Sequence, residues 1–139
     1  MGAFSVWHWI VVIIVLPAVI LPLVFYILSF RKTALAVNAA GGDAPVNLAW
    51  LLLIPLFATV WYFVLLIQLR GAMAKTGRIG IDPAWWTFGL IAGFGAVAQI
   101  VMGLIPLVGG MLALLCLLAQ IVFAIFHWVN LVKVRKHFG

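Results

Sequence analysis

The sequence predicts an all-α, polytopic membrane protein: a bundle of four transmembrane helices, the first and second kinked. Three observations predict it. Of 139 residues, 68% are hydrophobic and 7% are charged, where a soluble domain carries roughly 25% charged residues. Four apolar stretches reach the roughly 20 residues that a helix needs to cross a bilayer, and none contains Asp, Glu, Lys or Arg. The eight Lys and Arg stand just outside those stretches, where cations hold helix ends against anionic head groups. The whole chain, 1–139, reads as one membrane domain.

The first span covers about residues 7–30, "WHWIVVIIVLPAVILPLVFYILSF". No Lys or Arg precedes it, and Arg31 and Lys32 follow it, which is the reverse of a cleaved signal peptide. Pro17 and Pro22 each remove a backbone donor and predict a kink. "TALAVNAA" can add one or two helical turns before Gly41, Gly42 and Pro45 break the helix. The second span is about 48–69, with Pro55 near its middle, and Arg70 stops it. The loop after it holds three cations, three glycines and Asp82-Pro83, which reads as a helix start with an Asp cap.

The third span is about 84–105. "PLVGG" makes a turn, in which Pro106 stops one helix and Gly109 and Gly110 permit unusual backbone angles. The fourth span is about 111–132, and "KVRKHFG" closes the chain in cations. If the four spans alternate, six of the eight Lys and Arg share one side with both termini, and Arg31 and Lys32 take the other. That bias predicts both termini in the cytoplasm.

Composition excludes several function classes. The formal net charge is +6 with no Glu. Once the spans are removed, no basic, base-stacking surface remains for nucleic acid. A single cysteine, Cys116, leaves no internal disulfide, CxxC pair or Cys-based zinc site. Four-helix thiol oxidases are excluded on the same count. The chain is similar in size to the small multidrug-resistance transporters, whose coupling uses a Glu in the first helix, and it has none.

The tryptophans Trp7, Trp9, Trp50, Trp85, Trp86 and Trp128 fall near span ends and read as interfacial anchors. Gly89, Gly93, Ala96 and Gly103 recur at spacings of four, three and seven on one face of the third helix, a small-residue surface on which another helix can pack closely. Gln99, Cys116, Gln120 and His127 are candidate intramembrane polar groups in the third and fourth spans. Buried amides there are expected to hydrogen-bond across helices. His8 and His127 could together ligate haem or a metal if the first and fourth helices bring them together. The leading expectation is no cofactor and no metal.

Two resemblances add to this reading. Met1, Gly2, Phe4, Ser5, Trp7, His8 and Trp9 resemble the opening of the A-type subunits of the twin-arginine translocase. That family has one span, a Phe-Gly hinge and a basic amphipathic helix, with its N-terminus outside. Here two prolines interrupt the span, no such hinge follows and three more spans do, so export activity is not carried over. "WLLLIPLFATVWYFVLLIQLRGAM" and "LIPLVGG…FHWVNLVKVRK" resemble small four-helix bacterial inner-membrane proteins, which implies a fold and a location but no activity.

The sequence thus predicts a non-catalytic packing or accessory subunit of a larger inner-membrane complex, photosynthetic or respiratory for example, or a homo-oligomer. Its partners are the lipid bilayer and either other membrane subunits or copies of itself. A pore or holin-like protein, or a small transporter, would need a polar face, for which Gln99, Gln120 and Thr59 are the candidates. An electron-transfer subunit would need His8 and His127 together.

Overall fold

The computed structural model describes residues 2–54, 56–78 and 80–139, with side chains from Ser5 onward. Every regular element among the described residues is helical: α1 (Gly2–Ala39), a 3-10 segment (Leu48–Leu53), α2 (Phe57–Lys75), α3 (Ala84–Gly103) and α4 (Gly109–Phe138). All four α-helices are long and apolar enough to cross a membrane.

α1 is longer than the apolar run that begins it. It continues through Pro17, Pro22, Arg31 and Lys32 to Ala39. Each proline leaves the carbonyl four residues earlier, at Ile13 and Ala18, without its helical donor. Gly41, at φ 97°, ends the helix. Gly41 N–H donates to the Asn38 carbonyl and Gly42 N–H to the Val37 carbonyl, the paired C-terminal bonds that a left-handed glycine permits. Asn38 then clasps the loop from its side chain, donating to the Ala44 carbonyl at 3.0 Å and accepting from the Ala44 amide at 2.6 Å.

The span expected over 48–69 is divided. Residues 48–53 form the 3-10 segment and α2 starts only at Phe57. A proline at 55 cannot donate to the carbonyl of residue 51, so a continuous helix is disfavoured there. Pro55 itself, expected to kink the second helix, lies outside the described residues. Leu56, at φ 60°, turns the chain into α2. α3 starts one residue later than expected, with Pro83 rather than Asp82 at the cap position; Asp82 Oδ1 still accepts the Ala84 amide at 2.9 Å. The α3–α4 turn departs from expectation too. Leu107 carries the positive φ of 66°, while Gly109 and Gly110 are already helical. Gly109 is small for another reason: a Cβ there would run into the Met102 carbonyl.

Helix directions follow from which residues meet. Tyr26 meets His127, and Ser29 meets Trp128. Near the helix ends, Gly42 abuts both Val37 and the Ala72 carbonyl, and Arg78 reaches the His137 carbonyl at 2.7 Å. α1, α2 and α4 therefore run parallel, with their C-termini at one end. α3 runs against them, with Gly89 beside Leu66 and His127 and Gly95 beside Gln120. The alternating order expected from sequence does not occur. The 3-10 segment turns back along α2, tied by Trp61 Nε1–H to the Leu48 carbonyl at 2.8 Å, so the chain returns to the end from which it came.

All eight Lys and Arg lie in the half of the bundle where α1, α2 and α4 end, here termed the basic end. The N-terminus of α1 and the α3–α4 turn lie at the other, apolar end. α2 starts five residues before Tyr62, and α4 starts eighteen before His127. At 1.5 Å per residue α2 therefore stops about 20 Å short of the α3–α4 turn. The buried core sits on the basic side, built from Ile27, Phe30, Ala34 and Val37 of α1, Leu65, Leu66, Leu69 and Met73 of α2, Trp85 of α3, and Leu131 and Val134 of α4.

Candidate functional site

The site forms where the four helices meet at one level. Trp85 at the start of α3 presents its carbonyl to His127 Nδ1 at 2.6 Å. A carbonyl can only accept, so Nδ1 carries the proton. Nε2 is then the acceptor, and the Tyr26 hydroxyl donates to it at 2.9 Å. Tyr62 donates to the Gly89 carbonyl at 3.0 Å. Trp128 Nε1–H donates to Ser29 Oγ at 2.9 Å. His127 is 1% exposed, and a buried polar ring needs this full set of partners.

On the apolar side of this layer, where α2 begins, a cavity of about 460 Å³ opens between α1, α2, α3 and α4. Tyr26, Tyr62, His127, Trp128, Gln120 and Thr59 give its wall a polar rim, and Leu23, Ala92, Ala96 and Ala124 are among its apolar lining. Among the described residues, no Lys, Arg, Asp or Glu lines it. The Oε1 atom of Gln120 is buried and has no hydrogen-bond partner among the described residues.

The sequence-predicted residues separate into groups. Gly89 and Gly93 are buried against other helices. A Cβ on Gly89 would lie 2.8 Å from His127 Nδ1, and one on Gly93 would lie 2.7 Å from the Phe63 ring. Ala96 lines the cavity. Gly103, from the same expected face, has nothing among the described residues within 4 Å of where a Cβ would sit. The small face thus meets α2 as much as α4, and its last member meets neither. Gly95, outside the expected stripe, faces Gln120, whose Cβ would lie 3.4 Å from a Cβ at that position.

Gln120 and His127 share the cavity wall, whereas Cys116 and Gln99 are half-buried outside it. The cross-helix bond expected of a buried amide is absent at Gln120 Oε1. Among the tryptophans, Trp7 and Trp9 stand exposed near the apolar end and Trp50 lies on the 3-10 segment. Trp86 carries the Arg70 guanidinium 4.6 Å above its ring. Trp85, expected at the interface, is 3% exposed and belongs to the core.

His8 and His127 are not brought together. Eighteen residues of α1 separate His8 from Tyr26, about 27 Å of helix, and both nitrogens of His127 are engaged. Among the described residues no group of three His, Cys, Asp or Glu could hold a metal. Sequence reasoning missed Tyr26 and Tyr62. Their signal was present, since a phenol inside an apolar span needs a partner, but nothing in the sequence states that the two tyrosines and His127 meet. No family model matches the chain, and neither a curated protein nor a solved structure does.

Proposed function

We propose that the chain is a small, non-catalytic subunit of a bacterial inner membrane that acts by packing into a larger assembly. In this reading its basic end faces the cytoplasm and its N-terminus faces the opposite side. The observation that carries the packing role is the contrast along α1. Ile27 and Phe30 are 0% and 1% exposed, while Val6, Ile13 and Val19 are 58%, 67% and 61% exposed. Residues 5–21 amount to about 25 Å of apolar helix that finds little cover within its own chain. Engagement of both His127 nitrogens supports the absence of a bound metal or haem, because neither has a free lone pair for a ligand bond.

The orientation rests on charge. Because α2 enters from the basic end and returns to it, only α1, α3 and α4 cross fully, and an odd number of crossings separates the termini. Arg31 and Lys32 then join the other six cations, and eight against none is a strong cytoplasmic bias. A pore or transporter reading is not advanced, because the cavity wall is mainly apolar.

Lipid is as apolar as a partner helix, so the discriminating measurement is mass. Extracted in a mild detergent, the protein is expected to run as an assembly larger than its own 15.2 kDa, and a bare monomer counts against the packing role. Orientation is read in a Cys116→Ala background. Asp43→Cys, at an exposed position in the loop after α1, and Gly139→Cys should resist an impermeant maleimide added to intact cells, and Ser5→Cys should react. The opposite pattern overturns the orientation.

A further inference from the structure

We propose that the intramembrane cavity binds an uncharged lipid bearing a hydroxyl group. The hydroxyl would lie against Gln120 and the tyrosine layer, and the chain would extend along α1 toward the apolar end. The site goes beyond the packing role and does not depend on it. Its volume, about 460 Å³, falls within the range of ligand pockets, roughly 300–1,000 Å³. It lies where α2 stops, so no part of α2 occupies the groove beyond it. The absence of any charged residue among the described residues of its wall leaves a charged head group with no counter-charge in low dielectric, a costly arrangement.

The polar groups choose the head group. Tyr26 and Tyr62 spend their single protons on His127 Nε2 and the Gly89 carbonyl, which leaves their oxygens only acceptor capacity. Gln120, whose Oε1 has no partner among the described residues, and Thr59 stand on the same wall, and a Gln amide and a Thr hydroxyl each donate as well as accept. The tyrosine oxygens call for a donor, and the amide and hydroxyl pair best with a group that also accepts. A transmembrane helix does not supply the donor from its backbone, since its N–H groups are bonded internally. A hydroxyl donates and also accepts, so it suits the Gln120 amide in either orientation.

The test uses full-length protein in detergent micelles with tritiated geranylgeraniol as the probe, competed by unlabelled geranylgeraniol, its methyl ether and geranylgeranyl phosphate. The alcohol should bind saturably at one per chain, with the ether and the phosphate at least tenfold weaker. Gln120→Leu should shrink the alcohol–ether gap to under threefold. Ala124→Phe, which fills the cavity, should abolish saturable binding of the alcohol. Unchanged elution on size exclusion keeps either variant interpretable. Equal competition by the ether overturns the proposal, and so does a phosphate that competes better than the alcohol. Absence of saturable binding overturns it too, and in a preparation that retains a second protein it points to a partner helix as occupant.

Discussion

The ring of His127 joins α4 to α1 through Tyr26 and to α3 through Trp85, so its position is fixed from two sides. Gly89 lies directly against that ring. A methyl group there would sit 2.8 Å from Nδ1 and 2.9 Å from Cε1, closer than carbon and nitrogen tolerate. The ring cannot retreat without breaking a buried hydrogen bond, which costs about 1–3 kcal/mol. Gly89→Ala is therefore expected to destabilise the protein by about that amount. Gly103→Ala meets nothing within 4 Å among the described residues and removes a helix-weakening glycine, worth up to about 1 kcal/mol in its favour. SDS-titrated unfolding in mixed micelles separates them, and equal effects would mean that the close approach at Gly89 is unimportant. Both glycines belong to one stripe in the sequence. Spacing reports a shared helix face, but not how far along that face a neighbour extends.

At the scale of elements, the four helices were legible because a run of about 20 apolar residues has few alternatives in a chain this poor in charge. Their ends were less so. α1 outruns its apolar stretch because "TALAVNAA" keeps helical bonding available until Gly41. The direction of α2 was not legible at all, because a return to the same face and a full crossing both need an apolar run ended by Arg70. What decides between them is where Leu48–Leu53 lies, and that is a tertiary fact held by Trp61 on the Leu48 carbonyl. The cavity escaped for the same reason, since it exists only because α2 begins beside Tyr26 rather than level with the α3–α4 turn. A crossing α2 would put Phe57 at the far surface, whereas a returning one leaves it inside the bilayer. Phe57→Cys, in the Cys116→Ala background, is thus expected to react slowly with impermeant maleimide from either side of sealed vesicles. Gly77→Cys should react from the basic side alone. Rapid labelling at 57 from the side opposite 77 would restore the full crossing.

The molecule as a whole is unevenly packed. Its core gathers at the basic end, where α1, α2 and α4 converge on the start of α3. Arg70 over Trp86 and Arg78 over Phe138 extend that packing into the charged surface. The exposed ion pair of Asp43 and Lys75 adds at most about 1 kcal/mol. Toward the apolar end, α1 is left largely bare while α3 and α4 pack on each other. In lipid the bare surface is not itself destabilising, because the acyl chains replace what a neighbour would supply. Stability should then track packing rather than hydrophobicity. Leu66, fully buried between α2 and its neighbours, loses close contacts that nothing refills, so Leu66→Ala should cost about 2–5 kcal/mol in the isolated protein. Ile13→Ala removes a comparably apolar side chain that meets mostly lipid, and should change stability by less than about 0.5 kcal/mol. Both are read by SDS-titrated unfolding of purified monomer, so that any partner is absent. A large loss at Ile13 would mean that α1 folds back on its own chain, and would remove the free surface on which the packing role depends.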